Sequence, residues 1–456
     1  MTRRLDRRER GSGIVTTSET LQQRHAQRVL SPWLTQAGAH PPVIVRGEGS
    51  YLYDADDRRY LDLASGLISV NLGHGHPKVV KAIQDQAARL CFATPAFFND
   101  TRLELADELT NILPWSEGGR VYFTTGGAQA NEDAVKIVRL ATGRSKVLAA
   151  YRSFHGSSAG AGTLTGENRR YANEPGIPGV VHFWAPFPYR SPFDTKDSRE
   201  EVERALAHLE LVISYENPDD IAAILLEPVV GSNGVIVYPD GYLQGVRELC
   251  DRYGILLIAD EVMTGFGRTG AIFGSNRLGF TPDLITFAKG VTSSYVPLGG
   301  VLVRESVAMY FDDHPLMAGH TYSGHPLAMA AGVATLRAYR DEGLYERGRE
   351  IEGWLRTGLD ELARKHSVIG EVRGVGAFFG VELVKDRATR EPLVAWQGKS
   401  QGPMPAFYAE LRKRGAYTFG RYNFFMVAPP LTVKRSELEE GLAAVDAALA
   451  ALAVTA

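Results

Sequence analysis

The chain has 456 residues, 44% of them hydrophobic and 23% charged, with a net charge of -3 in which both signs are interspersed. That balance supplies a large core and excludes a low-complexity chain; it also lacks the one-signed basic footprint of a nucleic-acid binder. Two cysteines, Cys91 and Cys250, form neither a disulfide framework nor a metal-ligand spacing; each reads as a small core residue in a protein of the reducing cytoplasm.

The opening MTRRLDRRERGSG is arginine-rich without an apolar run, so it is no secretory signal, and Asp6 and Glu9 count against a mitochondrial presequence. Residues 1–17 are expected to be a disordered tail. No stretch approaches the ~20 apolar residues that cross a bilayer, so a cytoplasmic protein without a membrane partner is expected. From Val43, PPVIVRGEGSYLYDADDRRYLDLA alternates around turn signals and predicts short antiparallel strands. Helices are predicted at PKVVKAIQDQAARL and at TRLELADELTNIL, the second capped by Asp100 or Thr101. Buried strands are predicted at RVYFTT, SKVLAA, IAAILLE, ILLIAD, LITFAK and LGGVLV. Short strands apolar throughout and separated by helices mark an α/β fold, a mostly parallel sheet covered on both faces. The pattern leaves room for one antiparallel strand without saying which.

From His325 onward helices dominate, followed by strands near VRGVGAFFGVELV and NFFMVAP and a terminal amphipathic helix from Ser436. A smaller α+β domain is therefore expected from two pieces, residues 18–75 and 330–456, flanking a large domain at 76–329. No internal repeat or low-complexity linker interrupts them.

In such sheets ligands sit at the carboxyl ends of the strands. RVYFTT leads to Gly126-Gly127, SKVLAA to Phe154-His155-Gly156, and IAAILLE ends in Glu227. ILLIAD ends in Asp260-Glu261 and LITFAK in Lys289. Burying either Asp260 or Lys289 alone is costly, so each needs a partner. They either pair with each other or hold a ligand bearing an aldehyde for the amine and a basic ring nitrogen for the acid. Pyridoxal phosphate (PLP) carries both, and its phosphate suits the unpaired N–H groups where Gly126-Gly127-Ala128 opens a helix. Phe154 is placed to stack on the ring.

The ordered set DEVMTGFGRTG, PDLITFAKG and HTYSGHP resembles the class III aminotransferases, PLP enzymes of the aspartate-aminotransferase fold (fold type I), from about residue 40 to 440. The resemblance implies that Lys289 is the Schiff-base lysine and Asp260 the pyridinium partner. It assigns Gly127 and Ala128 to the phosphate turn, Phe154 and His155 to the ring-stacking segment, and Glu227 to the pocket beside the cofactor. Thr321 matches a residue that reaches the phosphate of the neighbouring subunit, which implies a homodimer with shared active sites. Several positions depart from common patterns. Gly126 and Ala128 replace serine or threonine in the phosphate turn, and Met263 stands where ornithine and 4-aminobutyrate branches carry glutamine. Ile68 occupies a position that is tryptophan in many pyruvate-linked ω-transaminases. Together with EPVVGSNGVIVYPDGYLQGVRELC, these features look most like the taurine and β-alanine branch.

In YTFGRYNFFMVAPPLTV, Arg421 lies in the segment that bears the family's substrate-anion arginine, a fork suited to carboxylate or sulfonate. Arg268 is expected to fix a turn, and His155 and His325 to be structural rather than general bases. The implied activity is ping-pong transfer of an amino group from a taurine- or β-alanine-like ω-amino acid or primary amine to 2-oxoglutarate or pyruvate, with Lys289 moving the proton. An intramolecular aminomutase or a decarboxylating relative would keep the same Lys289 and Asp260. No metal is implied.

Overall fold

The computed structural model describes residues 18–33, 35–36, 41–398 and 401–455; the tail expected at 1–17 lies outside them. Seven strands form the main sheet in the order Gly119–Thr124, Gly299–Arg304, Leu284–Phe287, Leu256–Asp260, Ile221–Leu226, Lys146–Ala150 and Val180–Phe183. The last five are mutually parallel, whereas Gly299–Arg304 runs antiparallel to both its neighbours. Every residue of Ile221–Leu226 and Leu284–Phe287 is buried, so these strands show no alternation in sequence.

The pleat sends neighbouring side chains to opposite cores. Ile224 and Leu226 pack with Leu209, Val246 and Leu249 from the helices Ser198–Tyr215 and Tyr242–Tyr253. Ala223 and Leu225 point the other way, onto Ala130, Ala134 and Val138 of the helix Gly127–Thr142. Each buried leucine or isoleucine contributes about 1.5–3 kcal/mol by leaving water. The edge strand Val180–Phe183, absent from the strands predicted, buries only Phe183 and so gives a weaker apolar signal.

A second sheet joins both ends of the chain. Ile44–Glu48, Tyr51–Asp54 and Arg59–Asp62 form an antiparallel meander, and Ala416–Tyr417 adds to its last strand in parallel. A third sheet holds Ile369–Val375, Phe378–Asp386, Phe424–Val427 and Gly420–Arg421. The helix Pro326–Asp341 packs on Pro77–Arg89 and Asp100–Thr110. Among the described residues no helix is long and apolar enough to cross a membrane.

Three local expectations are corrected. Asn99 caps the helix Asp100–Thr110: its side chain accepts the Arg102 N–H at 2.8 Å, whereas Asp100 already lies in the first turn. Cys91 is exposed rather than in the core, and only Cys250 is buried. Arg268 does more than fix a turn. Fully buried, it donates to the carbonyls of Ala377 (2.9 Å) and Pro429 (2.6 Å) and to the side chains of Ser65 (3.2 Å) and Asn71 (2.6 Å). One side chain thus ties the N-terminal segment and the C-terminal sheet to the large one.

Candidate active site

The parallel register pairs Ile258 with Leu284 and Asp260 with Thr286, so Lys289 emerges one turn beyond the residue beside Asp260. Lys289 itself has φ +44°, a costly backbone conformation for a side-chain-bearing residue, held in place by its surroundings. Gly290 follows because the backbone there is pressed inward: a Cβ would stand 2.9 Å from Asn71 Nδ2 and 3.1 Å from Phe266 Cβ.

Lys289 and Asp260 do not pair with each other. Asp260, 4% exposed, is occupied otherwise: its Oδ2 accepts Asn131 Nδ2 at 2.8 Å and lies 2.7 Å from His155 Nδ1, and its Oδ1 accepts the Val262 N–H at 3.1 Å. Asn131 is fixed in turn by Thr286 Oγ1 (2.7 Å) and the His155 carbonyl (2.8 Å). The Lys289 amine makes no hydrogen bond or ion pair among the described residues. Burial draws its pKa down from 10.5 to about 8, opposed by the charges of Asp260 and Glu227 and reinforced by Arg169.

Glu227 is 3% exposed; it accepts the backbone N–H groups of Phe154 (2.9 Å) and Gly231 (2.8 Å). Burial lifts its carboxyl to about 7, with His155 pulling it down and Asp260 pushing it up. Met263 packs over the same turn: a Cβ at Gly231 would meet its sulfur at 2.3 Å. Ile68, 1% exposed, belongs to the apolar cluster against which Met263 packs, together with Val229, Phe378 and Phe424.

The turn Gly126-Gly127-Ala128 leads into Gly127–Thr142 with Gly126 fully extended, so the first N–H groups of that helix lack intrahelical partners. Side chains are kept away by crowding. A Cβ on Gly127 would lie 3.0 Å from both Val262 methyls, and one on Gly156 would lie 2.6 Å from Ala128 Cβ. The result is a turn that presents backbone N–H groups at a positive helix end.

The Phe154 ring carries the Arg169 guanidinium 3.6 Å from its centroid, and Trp33 approaches it edge-on at 6.3 Å. Arg169 is paired with Glu167, a buried carboxylate whose other oxygen accepts Arg421 Nη1 at 3.1 Å. Arg421 also reaches Asn168 Oδ1 (3.3 Å) and Tyr422 Oη (3.2 Å). Thr321 is exposed, in a segment anchored by His320 Nε2 on Asp133 Oδ2 at 2.6 Å. His325 stands apart from this constellation, its ring 5.8 Å from that of Phe92.

A buried carboxylate, an unpaired and half-buried amine and a crowded helix N-terminus now stand at one sheet edge. The family model for aminotransferase class-III matches residues 35–449. The chain is a class III aminotransferase. It is PLP-dependent and takes small-molecule amine and keto acid substrates. The taurine:2-oxoglutarate aminotransferase of Bifidobacterium kashiwanohense, solved with PLP and glutamate, is 42% identical; the match covers 96% of this chain and 98% of that one, with a TM-score of 0.92. An (S)-enantioselective ω-transaminase from Thermomicrobium roseum is 37% identical over 95% of this chain and 99% of its own, with a TM-score of 0.91. The 5-aminovalerate aminotransferase of Pseudomonas aeruginosa is 36% identical over 89% of this chain and 92% of its own.

The residues of this aminotransferase fit the cofactor: the pyridine nitrogen needs a fixed acid, the aldehyde a free amine, and the phosphate unpaired N–H donors. Sequence reasoning overlooked Asn131, Glu167, Arg169 and Trp33. Asn131 left one signal, a polar residue on the helix face shared by Ala134, Val135 and Val138. Glu167 and Arg169 left none, because their partners are remote in sequence.

Proposed function

We propose that this aminotransferase moves the amino group of a taurine- or β-alanine-like ω-amino acid or primary amine to a 2-oxo acid, 2-oxoglutarate or pyruvate, in two half-reactions that share one pocket. The observation that carries this reading is the Arg169–Glu167–Arg421 ion cluster beyond the Phe154 ring. A substrate carboxylate or sulfonate takes the place of the Glu167 oxygen on Arg421.

PLP, when bound, supplies the electron sink for the reaction. Lys289 anchors it and moves the proton at the amine-bearing carbon; with a pKa near 8, half its population is neutral at a pH where an ordinary lysine is almost wholly charged. Asp260 would present its carboxylate to the ring nitrogen, and His155 and Asn131 hold that carboxylate in position. Gly127 and Ala128 offer backbone N–H groups to the phosphate, Phe154 offers its face to the ring, and Glu227 lines the pocket beside it. Ile68 and Met263 form an apolar wall.

A homodimer is part of the proposal. Thr321, offered to the neighbouring subunit's phosphate, lies beside aromatic side chains left open to solvent: Tyr322 is 59% exposed and stacks edge-on at 6.1 Å with Phe92, itself 43% exposed. The two unpaired thiols suit the cytoplasm.

An amino-donor panel run against pyruvate and against 2-oxoglutarate tests the reading. Turnover is expected with taurine or β-alanine and one of the two acceptors. Activity confined to α-amino acids would overturn the donor class, and conversion of a substrate without any acceptor would point to an aminomutase.

A further inference from the structure

Behind the strand end at Ala150 lies a second, small pocket, of about 50 Å³, lined by Arg152, Arg190, Asn233, Arg373, Glu382 and Trp396 among others. None of the residues assigned to the cofactor lines it. Its charges do not balance. Glu382, 3% exposed, accepts Arg190 Nε (2.5 Å), Arg373 Nη1 (2.7 Å) and Asn423 Nδ2 (3.1 Å), and Glu371 faces Arg373. Arg152 has no carboxylate within ion-pair distance among the described residues; its guanidinium rests over the rings of Trp396 (4.3 Å) and Phe187 (5.0 Å). Three guanidinium groups thus face two carboxylates.

Hydrogen bonding is incomplete in the same place. Asn233 is 1% exposed, and both its Nδ2 and its Oδ1 lack a partner; Arg190 Nη2 is also buried and unpaired. Buried polar groups are rarely left so, and here they cluster on one cavity with a surplus positive charge. Whichever way the Asn233 amide is turned, it asks its ligand for one acceptor and one donor. Chloride, sulfate and carboxylate accept only. A hydrogen-phosphate group does both, and its charge meets the surplus.

We propose that this pocket binds a hydrogen-phosphate group, with Arg152 and Arg190 as charged donors and Asn233 as the residue that recognises its proton. Arg152 and Arg190 also line an outer pocket with Tyr151, Trp184, Phe187 and Pro192. That outer chamber is the route from solvent for free phosphate, and it is the place for the organic part of a monoester.

The test is a calorimetric titration of the PLP-loaded enzyme, freed of phosphate and sulfate, with inorganic phosphate, sodium sulfate and phenyl phosphate. Loading with PLP occupies the helix N-terminus at Gly127, so the cofactor's own phosphate site does not report. One phosphate per chain is expected, with sulfate weaker by about tenfold or more. Asn233→Ala and Arg152→Gln are each expected to weaken phosphate by about tenfold or more while the visible absorption of the bound cofactor per chain stays the same, a check that both variants fold. Tighter binding of phenyl phosphate identifies a monoester as the ligand, and tighter binding of inorganic phosphate identifies the free anion. The proposal is overturned by an absence of saturable binding, which leaves a water-filled pocket, by equal affinity for sulfate, or by binding that survives in both variants.

Discussion

Arg421 Nη1 lies 3.1 Å from Glu167 Oε2, so the arginine offered to the substrate's acid group already has an internal carboxylate partner. Under the proposed function an incoming anion would have to compete with Glu167 for the guanidinium, whereas an uncharged amine would face no such contest.

Removing Arg421 therefore separates substrate classes. Arg421→Ala deletes a charge-assisted contact worth about 1.5–3 kcal/mol, roughly a tenfold to hundredfold loss in kcat/KM for β-alanine or taurine. An uncharged primary amine accepted by the wild type is expected to lose far less. Single-turnover titrations of both donors on both proteins decide the matter, and equal losses would mean that Arg421 supports only the fold.

Glu167→Gln works in the opposite direction. It keeps the size of the side chain but releases Arg421 and Arg169 from their carboxylate. Apparent affinity for the acidic donor is expected to rise severalfold, on the order of 1 kcal/mol, while that for the uncharged amine stays level. Half-reaction KM values measure both.

Asp260→Asn preserves shape and removes charge. PLP is expected still to bind, with half-reaction rates reduced by orders of magnitude, on the order of several kcal/mol in barrier. Near-normal single-turnover rates would contradict the role given to the Asp260 carboxylate. Borohydride reduction followed by peptide mapping locates the cofactor in the same experiments, and the label is expected on Lys289.

The lowered pKa of Lys289 gives two pH signatures. Attack on PLP requires the neutral amine, so the rate at which cofactor-free protein regains its visible absorption is expected to rise with pH through a midpoint near 8, not near 10.5. Glu227 raises the pKa of this lysine, so Glu227→Gln moves the midpoint downward. The stability of the cofactor-free chain follows the same proton. Between pH 8 and 10.5 the unfolded chain holds the proton and the folded one does not, so folding gains stability as pH rises through that window. Below pH 8 the cost of the buried charge is fully present. Lys289→Met lacks this rise in urea midpoint.

How much of this was legible in the sequence depended on whether a residue's partner was local. ILLIAD and LITFAK announced their ends because an apolar run stopping at a charge shows within six residues. Parallel pairing then brings Asp260 and Lys289 to one edge whatever the loops do. The ion cluster was not legible: Glu167 and Arg421 meet across 254 positions, and nothing in either local segment names the other. Arg268 misled for the same reason. A glycine-flanked arginine looks like a turn residue, and only the assembled fold supplies the carbonyls that surround it. The strand Val180–Phe183 escaped because edge position leaves three of its four residues only partly buried. Arg268→Leu leaves two carbonyls unpaired and is expected to cost about 3 kcal/mol or more, read as a lower urea midpoint.

The parallel pairing of Arg59–Asp62 with Ala416–Tyr417 also sets an order of events at the ribosome. At about 5–20 residues per second, the meander of Ile44–Asp62 waits tens of seconds before the strand that completes it is synthesised. The main sheet, drawn wholly from residues between Gly119 and Arg304, assembles during that interval. Until then one face and one edge of the early meander stay open to other nascent chains. Slowing synthesis between Asp62 and Ala416 is therefore expected to prolong that exposure, read as a larger aggregated fraction at high expression rates.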